Sequence, residues 1–144
     1  MLAVPLWTRY GVTTVEAARA AFVDVPAQEC AGLVAEDAGR VVGFAVFVVR
    51  GTFVHSGYVR SVAVTPDAQG RGVGSRLMDA VEAAIFGHGP NVFLLVSAWN
   101  SDARRFYERR GYRRIGEIPD YVRHGITEVV YRKTLGPILG NASC

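Results

Sequence analysis

VAVTPDAQGRGVGSRLMDAV, residues 62–81, decides the fold. It opens on the apolar end of a strand, Val62-Ala63-Val64. Thr65-Pro66-Asp67 then breaks that strand, because Pro66 has no N–H to give to a ladder. From Gly72 to Phe86 the apolar side chains Val73, Leu77, Val81, Ala84 and Ile85 recur at helical spacing, with Arg76, Asp79 and Glu82 on the other side. Between strand and helix stand Gly70, Gly72 and Gly74, at alternate positions. A helix start exposes unpaired N–H groups and the positive end of the dipole, which attract anions and phosphates above all. Glycine lets the backbone come close and adopt positive φ. The segment 70–75, GRGVGS, therefore reads as a phosphate cradle. It is not a P-loop, which needs GxxxxGK[ST], because the only lysine of the chain is Lys133. It is not the dinucleotide fingerprint GxGxxG either. The spacing here is GxGxG, and the acidic ribose partner would fall near the apolar Leu94.

Working outward, residues 31–36 and 41–50 read as strands joined by the turn DAGR, a hairpin. Residues 53–65 read as a third strand that leads into the glycine turn. Gly87-His88-Gly89-Pro90 ends the helix, and residues 92–97, VFLLVS, form a buried strand. Asn100 or Ser101 caps a second helix that stops at Gly111. Two last strands follow over 112–118 and 127–134. Near the N-terminus, TTVEAARAAF over 13–22 reads as a short helix capped by Thr13 or Thr14. The order βββαβαββ implies a parallel strand pair within a mixed sheet, an α/β (α+β) class of fold.

The bulk composition narrows the function. With 144 residues, half of them hydrophobic and a fifth charged, the chain reads as one globular domain, 1–144. Its longest apolar run, VVGFAVFVV over 41–49, falls short of the ~20 residues of a membrane span. The N-terminus lacks the basic start and apolar core of a secretory signal, so a cytoplasmic protein without membrane contact is expected. Cys30 and Cys144 fit no metal-binding spacing and read as two free thiols; no metal is expected. The chain has fifteen arginines beside the single lysine. Arg104, Arg105, Arg109, Arg110, Arg113 and Arg114 cluster, but no aromatic platform is interleaved with them. They read as a solvated helix face and not as a nucleic-acid surface.

Gln69-Gly70-Arg71-Gly72-Val73-Gly74 resembles the Q/R-x-x-G-x-G/A signature of the GNAT superfamily of acetyl-CoA-dependent N-acetyltransferases. A second block, Asn100-Ser-Asp-Ala103-Arg-Arg-Phe106-Tyr107-Glu-Arg-Arg-Gly111-Tyr112, resembles the family's N-x-x-A-x-x-x-Y-x-x-x-G-F/Y stretch. The two blocks stand in the family's order and spacing, and the resemblance covers about residues 30–134. It implies a mixed, splayed β-sheet flanked by helices, opened like a V between the strand ending at Val64 and the strand 92–97. It also implies a cradle that holds the coenzyme A pyrophosphate on residues 69–75, namely Gln69, Gly70, Arg71, Gly72, Val73, Gly74 and Ser75. The pantetheine arm would lie along Val62, Ala63 and Val64, with Asn100 and Tyr107 beside it. The family usually places a strand and two helices before its hairpin. Here about thirty variable residues, 1–30, must serve, and 135–144 form a tail. The acceptor cleft is then either open or completed by the partner subunit of a homodimer.

The chemistry implied is transfer of an acetyl group from acetyl-CoA to an amine, on a small molecule or on a protein N-terminus or lysine. Tyr107 becomes the candidate general acid for the leaving sulfur, with Asn100 seven positions, about two helical turns, before it. Each also has a plainer reading, Tyr107 as a core aromatic and Asn100 as a helix cap. The carboxylate base of the histone-type branch would fall on Tyr58, and that of the ribosomal-protein alanine acetyltransferases on Leu95, so neither is present. His55, Glu117, Asp120, His124 or a chain of waters remain as bases. The rival from another class is a module that holds an acyl-CoA without turnover, as a sensor or regulator.

Overall fold

In the computed structural model, residues 30–140 are described. The helix expected over 13–22 and the second cysteine, Cys144, lie outside them. Cys30 is a free, half-buried thiol. Three strands come first, β1 (Cys30–Asp37), β2 (Arg40–Thr52) and β3 (Ser56–Val64). A single 3-10 turn, Pro66–Ala68, leads to α1 (Val73–Phe86). Then follow β4 (Asn91–Ser97), α2 (Ser101–Arg109), β5 (Arg113–Pro119) and β6 (Thr127–Thr134). This is the element order read from the sequence. The six strands form one mixed sheet in the order β1-β2-β3-β4-β6-β5. No helix among the described residues is long and apolar enough to cross a membrane.

The third strand starts later than the sequence suggests. Phe53 and Val54 take positive φ, 47° and 74°, in a turn whose Val54 N–H donates to the Gly51 carbonyl at 3.3 Å. Phe53 and Val54 favour strands, so FVHS reads as strand. Yet Thr52 pairs with Ser56, so the chain must reverse within those residues. His55 thus stands on an exposed turn and not in a strand.

Among the described residues only β3 and β4 run parallel, and their pairing is short: Gly57 with Val92, Tyr58 with Phe93, Val59 with Leu94. β3 continues to Val64 and β4 to Ser97 without meeting again. On the other side of β3, Phe47 pairs with Val59 and Val46 with Ser61, so Arg60 is the extra residue of a β-bulge. A bulge bends its strand and increases the local twist. The bulge sits where β3 parts from β4, and the strands splay from that point.

Strand alternation sorts the side chains. Val129, Tyr131 and Lys133 of β6 face the helices, as do Val92, Leu94 and Val96 of β4. Val73, Leu77, Met78, Val81 and Ile85 of α1 close the core against them. Each such buried side chain contributes about 1.5–3 kcal/mol. The opposite sheet face carries Tyr58, Phe93, Ser97, Glu128 and Arg132.

Candidate active site: the glycine turn and the open gap

The cradle is built from backbone. Gly70 and Gly72 have φ of 76° and 80°, the left-handed region that other residues enter at a cost. A Cβ on either would meet open space, so conformation and not crowding demands glycine. Gly72 is the N-cap of α1, and no side chain caps that helix. The N–H groups of its first turn, at Val73, Gly74 and Ser75, therefore point free of helical partners. Gln69 braces the turn from its own side chain. Its Nε2 donates to the Val64 carbonyl at 3.1 Å and closes the turn onto the strand end. Two exposed ion pairs tie the β1–β2 hairpin to the turn, Arg71 with Asp37 at 3.0 Å and Arg40 with Asp67.

The gap beside the cradle is the part of β3 that β4 leaves unpaired. Val62, Ala63 and Val64 keep their pairing with β2 through Ala45, Phe44 and Gly43, while their other backbone edge is free of β4. Two concavities lie elsewhere. One, about 320 Å³, sits at the far end of the sheet between Phe53, Phe93, Ile115, Arg132 and Ile138. The other, about 380 Å³, flanks the cradle between β1 and α1 and includes Leu33, Arg71, Arg76 and Leu77.

α2 brings the second motif to the first. Asn100 is its N-cap, and its Oδ1 accepts from the Ala103 N–H at 3.2 Å. Phe106 packs against the first turn of α1, with its Cζ 3.7 Å from where a Cβ of Gly74 would stand. Tyr107, half-buried, lies edge-on between Phe106 (centroids 5.1 Å apart) and Tyr112 (5.5 Å). Its hydroxyl makes no hydrogen bond among the described residues. Burial pushes its pKa up to about 12; Arg110 opposes the shift and Glu82 adds to it. The phenol is thus a proton donor through the neutral range. Behind it Glu82 is buried in an ion network. Arg110 donates to Glu82 Oε1 through Nε at 3.3 Å and Nη2 at 3.2 Å, and Lys133 Nζ donates to Oε2 at 2.7 Å. Arg110 also reaches Asp79 at 2.7 Å.

The arginine cluster is only in part a solvated face. Arg104 is half-buried and donates to the Tyr131 hydroxyl and the Ala98 carbonyl, both at 3.2 Å. Arg105 pairs with Asp102 and Arg114 with Glu117, each at 2.5 Å.

Among the bases considered, His55 stands on the β2–β3 turn, at the end of β3 remote from the cradle. Glu117 pairs with Val129 on the helix side and is held by Arg114. Asp120 and His124 face each other at 3.3 Å in the β5–β6 loop, with His124 fully in solvent. A carboxylate missing from that set is Glu128. It is 3% exposed, and the Ser97 hydroxyl donates to both its oxygens, at 3.2 and 3.4 Å. Its signal in the sequence was faint: an acid beside Val129 in ITEVVYRK, opposite in facing to Val129 and Tyr131. On the same sheet face, burial raises the Tyr58 phenol to about 12, with Tyr121 and Glu128 adding and Arg60 opposing. Among the described residues no group of three or more His, Cys, Asp or Glu could hold a metal ion.

A sequence model of the acetyltransferase (GNAT) family matches residues 5–112. An uncharacterized N-acetyltransferase of Methanocaldococcus jannaschii is 35% identical over 94 residues. The match takes in 64% of this chain and spans 58% of that protein's length. Among solved structures, a GCN5-related N-acetyltransferase from Kribbella flavida superposes with a TM-score of 0.67 at 28% identity, over 85% of this chain and 78% of its own. An aminoglycoside 6'-N-acetyltransferase complexed with coenzyme A shares the fold with a TM-score of 0.65 at 18% identity, over 77% of this chain and 76% of its own.

Proposed function

The chain belongs to the GNAT family of acetyltransferases, and from that premise we propose that it moves an acetyl group from acetyl-CoA to a primary amine by direct attack in a ternary complex. The observation that carries the reading is the uncapped, left-handed glycine turn that opens beside the free edge of β3. The open space over Gly70 and Gly72 fits a phosphate approaching bare N–H groups. Each charge-assisted bond of that kind contributes about 1.5–3 kcal/mol. The edge at Val62 and Val64 can take the pantetheine amides as a further strand would be taken. An N–H near Val62 would be the donor to the thioester oxygen, where negative charge develops. Tyr107 then supplies the proton that the departing thiolate needs, and its raised pKa keeps that proton in place until the C–S bond breaks. The coenzyme A held by the similar aminoglycoside acetyltransferase supports the same occupant here. Asn100, engaged in capping through Oδ1, still has its amide N–H groups to offer the coenzyme.

Calorimetry with acetyl-CoA and thiol release over a panel of amines test this reading. Tyr107→Phe is expected to keep the ring packing and the acetyl-CoA Kd, and to lose kcat by about 10²–10⁴-fold. Normal binding with turnover close to wild type would reduce Tyr107 to a core aromatic. Binding without turnover on any amine would favour the non-catalytic acyl-CoA module.

A further inference from the structure

The concavity at the far end of the sheet has apolar walls and polar groups that can donate. It lies beside the first residues of β3 and β4, whereas the gap opens where those strands end. Phe53 and Phe93 meet edge-on there, with centroids 5.0 Å apart. Two local irregularities bring apolar side chains to it. Phe53 holds a φ of 47° in the β2–β3 turn and remains exposed. Ile115 is the extra residue of a bulge in β5, between Arg114 opposite Tyr131 and Gly116 opposite Val130. Strain and bulges of this kind are kept where they aim a side chain. Arg132 donates Nε to Asn91 Oδ1 at 2.8 Å and Nη2 to Thr134 Oγ1 at 3.2 Å. Those are two of the five N–H groups of a guanidinium. The rest have no acceptor, and the cation no carboxylate, among the described residues. Arg113 stands directly opposite Arg132 on the same face, also without a carboxylate among them. Like charges so placed repel, and an anion beside them relieves the repulsion. Asn91 and Ser56, 3% and 2% exposed, line the same cavity. Neither Asn91 Nδ2 nor the Ser56 hydroxyl has a partner among the described residues. Apolar walls with a few converging polar groups are the ordinary form of a small-molecule site.

We propose that this cavity binds a small carboxylic acid with an apolar body, its carboxylate on Arg132 and its hydrocarbon between Phe53, Phe93, Ile115 and Ile138. The cavity, about 320 Å³, has about twice the ~150 Å³ that holds a benzene molecule. A ring with a short chain fits that space. A guanidinium takes a carboxylate through parallel N–H bonds, and Asn91 Nδ2 and the Ser56 hydroxyl stand ready to add to them. The site uses neither the cradle nor the free edge of β3, so it stands or falls apart from the acetyltransferase reading.

The experiment follows the backbone amide resonances of the isotope-labelled full chain, without acetyl-CoA, as phenylacetate, phenylacetamide or acetate is added. Phenylacetate is expected to bind with a Kd of about 1 mM or tighter, the reach of so small a ligand. Its shifts are expected to centre on residues 53, 91, 93, 115 and 132, the lining of the cavity. The amide lacks the charge and acetate lacks the body, and each is expected to bind at least about tenfold more weakly. Arg132→Gln is expected to weaken phenylacetate binding at least about tenfold. Ile115→Glu, which sets a carboxylate against Arg132 from an exposed position, is expected to do the same and to melt like wild type. No shift at ~10 mM phenylacetate, shifts centred on residues 62–75, or an amide that binds as well as the acid overturns the site. A folded Arg132→Gln or Ile115→Glu that binds phenylacetate within about threefold of wild type overturns it too. Melting temperatures show which variants are folded, and if Arg132→Gln is not, Ile115→Glu and the ratio of acid to amide decide.

Discussion

The ring of Phe106 stands over Gly74, with Cζ 3.7 Å from the position a methyl group would take there. That distance is ordinary van der Waals contact, and Gly74 carries no positive φ. Gly74→Ala is therefore expected to fold with equal or greater stability, gaining up to about 1 kcal/mol of helix propensity. Gly72 is the reverse case: empty space around its Cβ position, but φ of 80°. Gly72→Ala is expected to cost about 1–2 kcal/mol, the penalty of the left-handed conformation. Urea denaturation of the two variants checks the contrast, and acetyl-CoA calorimetry shows whether a methyl over the turn also obstructs phosphate.

Stability is expected to fall between pH 10 and 12. Tyr107 and Tyr58 are both raised to about 12, chiefly by burial, while an unfolded tyrosine titrates near 10. In that window the folded chain keeps protons that the unfolded chain has shed. Their contribution is thus complete below about pH 10 and lost as pH rises through the folded values. Each tyrosine sets a slope of at most about 1.4 kcal/mol per pH unit. Urea midpoints at stepped alkaline pH measure it, and Tyr107→Phe or Tyr58→Phe should flatten the decline.

The ion pairs differ by burial. Glu82 holds Arg110 and Lys133 at the junction of α1, α2 and β6, with its side chain 10% exposed. Glu82→Gln takes the carboxylate from Lys133 and leaves Arg110 with Asp79 alone, at an expected cost of up to about 3 kcal/mol. Asp37, half-exposed beside Arg71, is a surface partner, and Asp37→Asn is expected to cost less than about 1 kcal/mol. Chemical denaturation of both variants under one condition decides whether burial sets the scale.

His55→Gln is expected to leave the pH–rate profile unchanged, because the β2–β3 turn lies at the other end of β3 from the cradle. Stability should move by no more than about 0.5 kcal/mol, as for other exposed positions. A limb near pH 6.5 that vanishes in this variant would restore His55 as the base.

What the sequence revealed was local. The α1 limits follow from Gly72 before it and Gly87 after it, and Asn100 announces its cap by residue type and position. The βββαβαββ order follows from the change of hydrophobic period along the chain. The turn at Phe53-Val54 stayed hidden because its residues favour strands, and pairing between Thr52 and Ser56 overrides that preference. Glu128 stayed hidden for a longer-range reason. Its burial depends on β6 lying between β4 and β5, an order that no short stretch encodes. Arg110 likewise reads as one more basic residue until α1 places Glu82 against it.

The bulge at Arg60 has a mechanical consequence. Among the described residues three rungs, Gly57–Val92, Tyr58–Phe93 and Val59–Leu94, make the backbone seam between the first three strands and the last three. Under load or heating that seam is where the sheet can unzip, starting from the end already parted. A molecule lodged along the free edge of β3 would act as a strut across it. Ligand binding should therefore slow amide exchange at residues 57–59 and 92–94 more than in β1 or β5, which touch neither side of the seam.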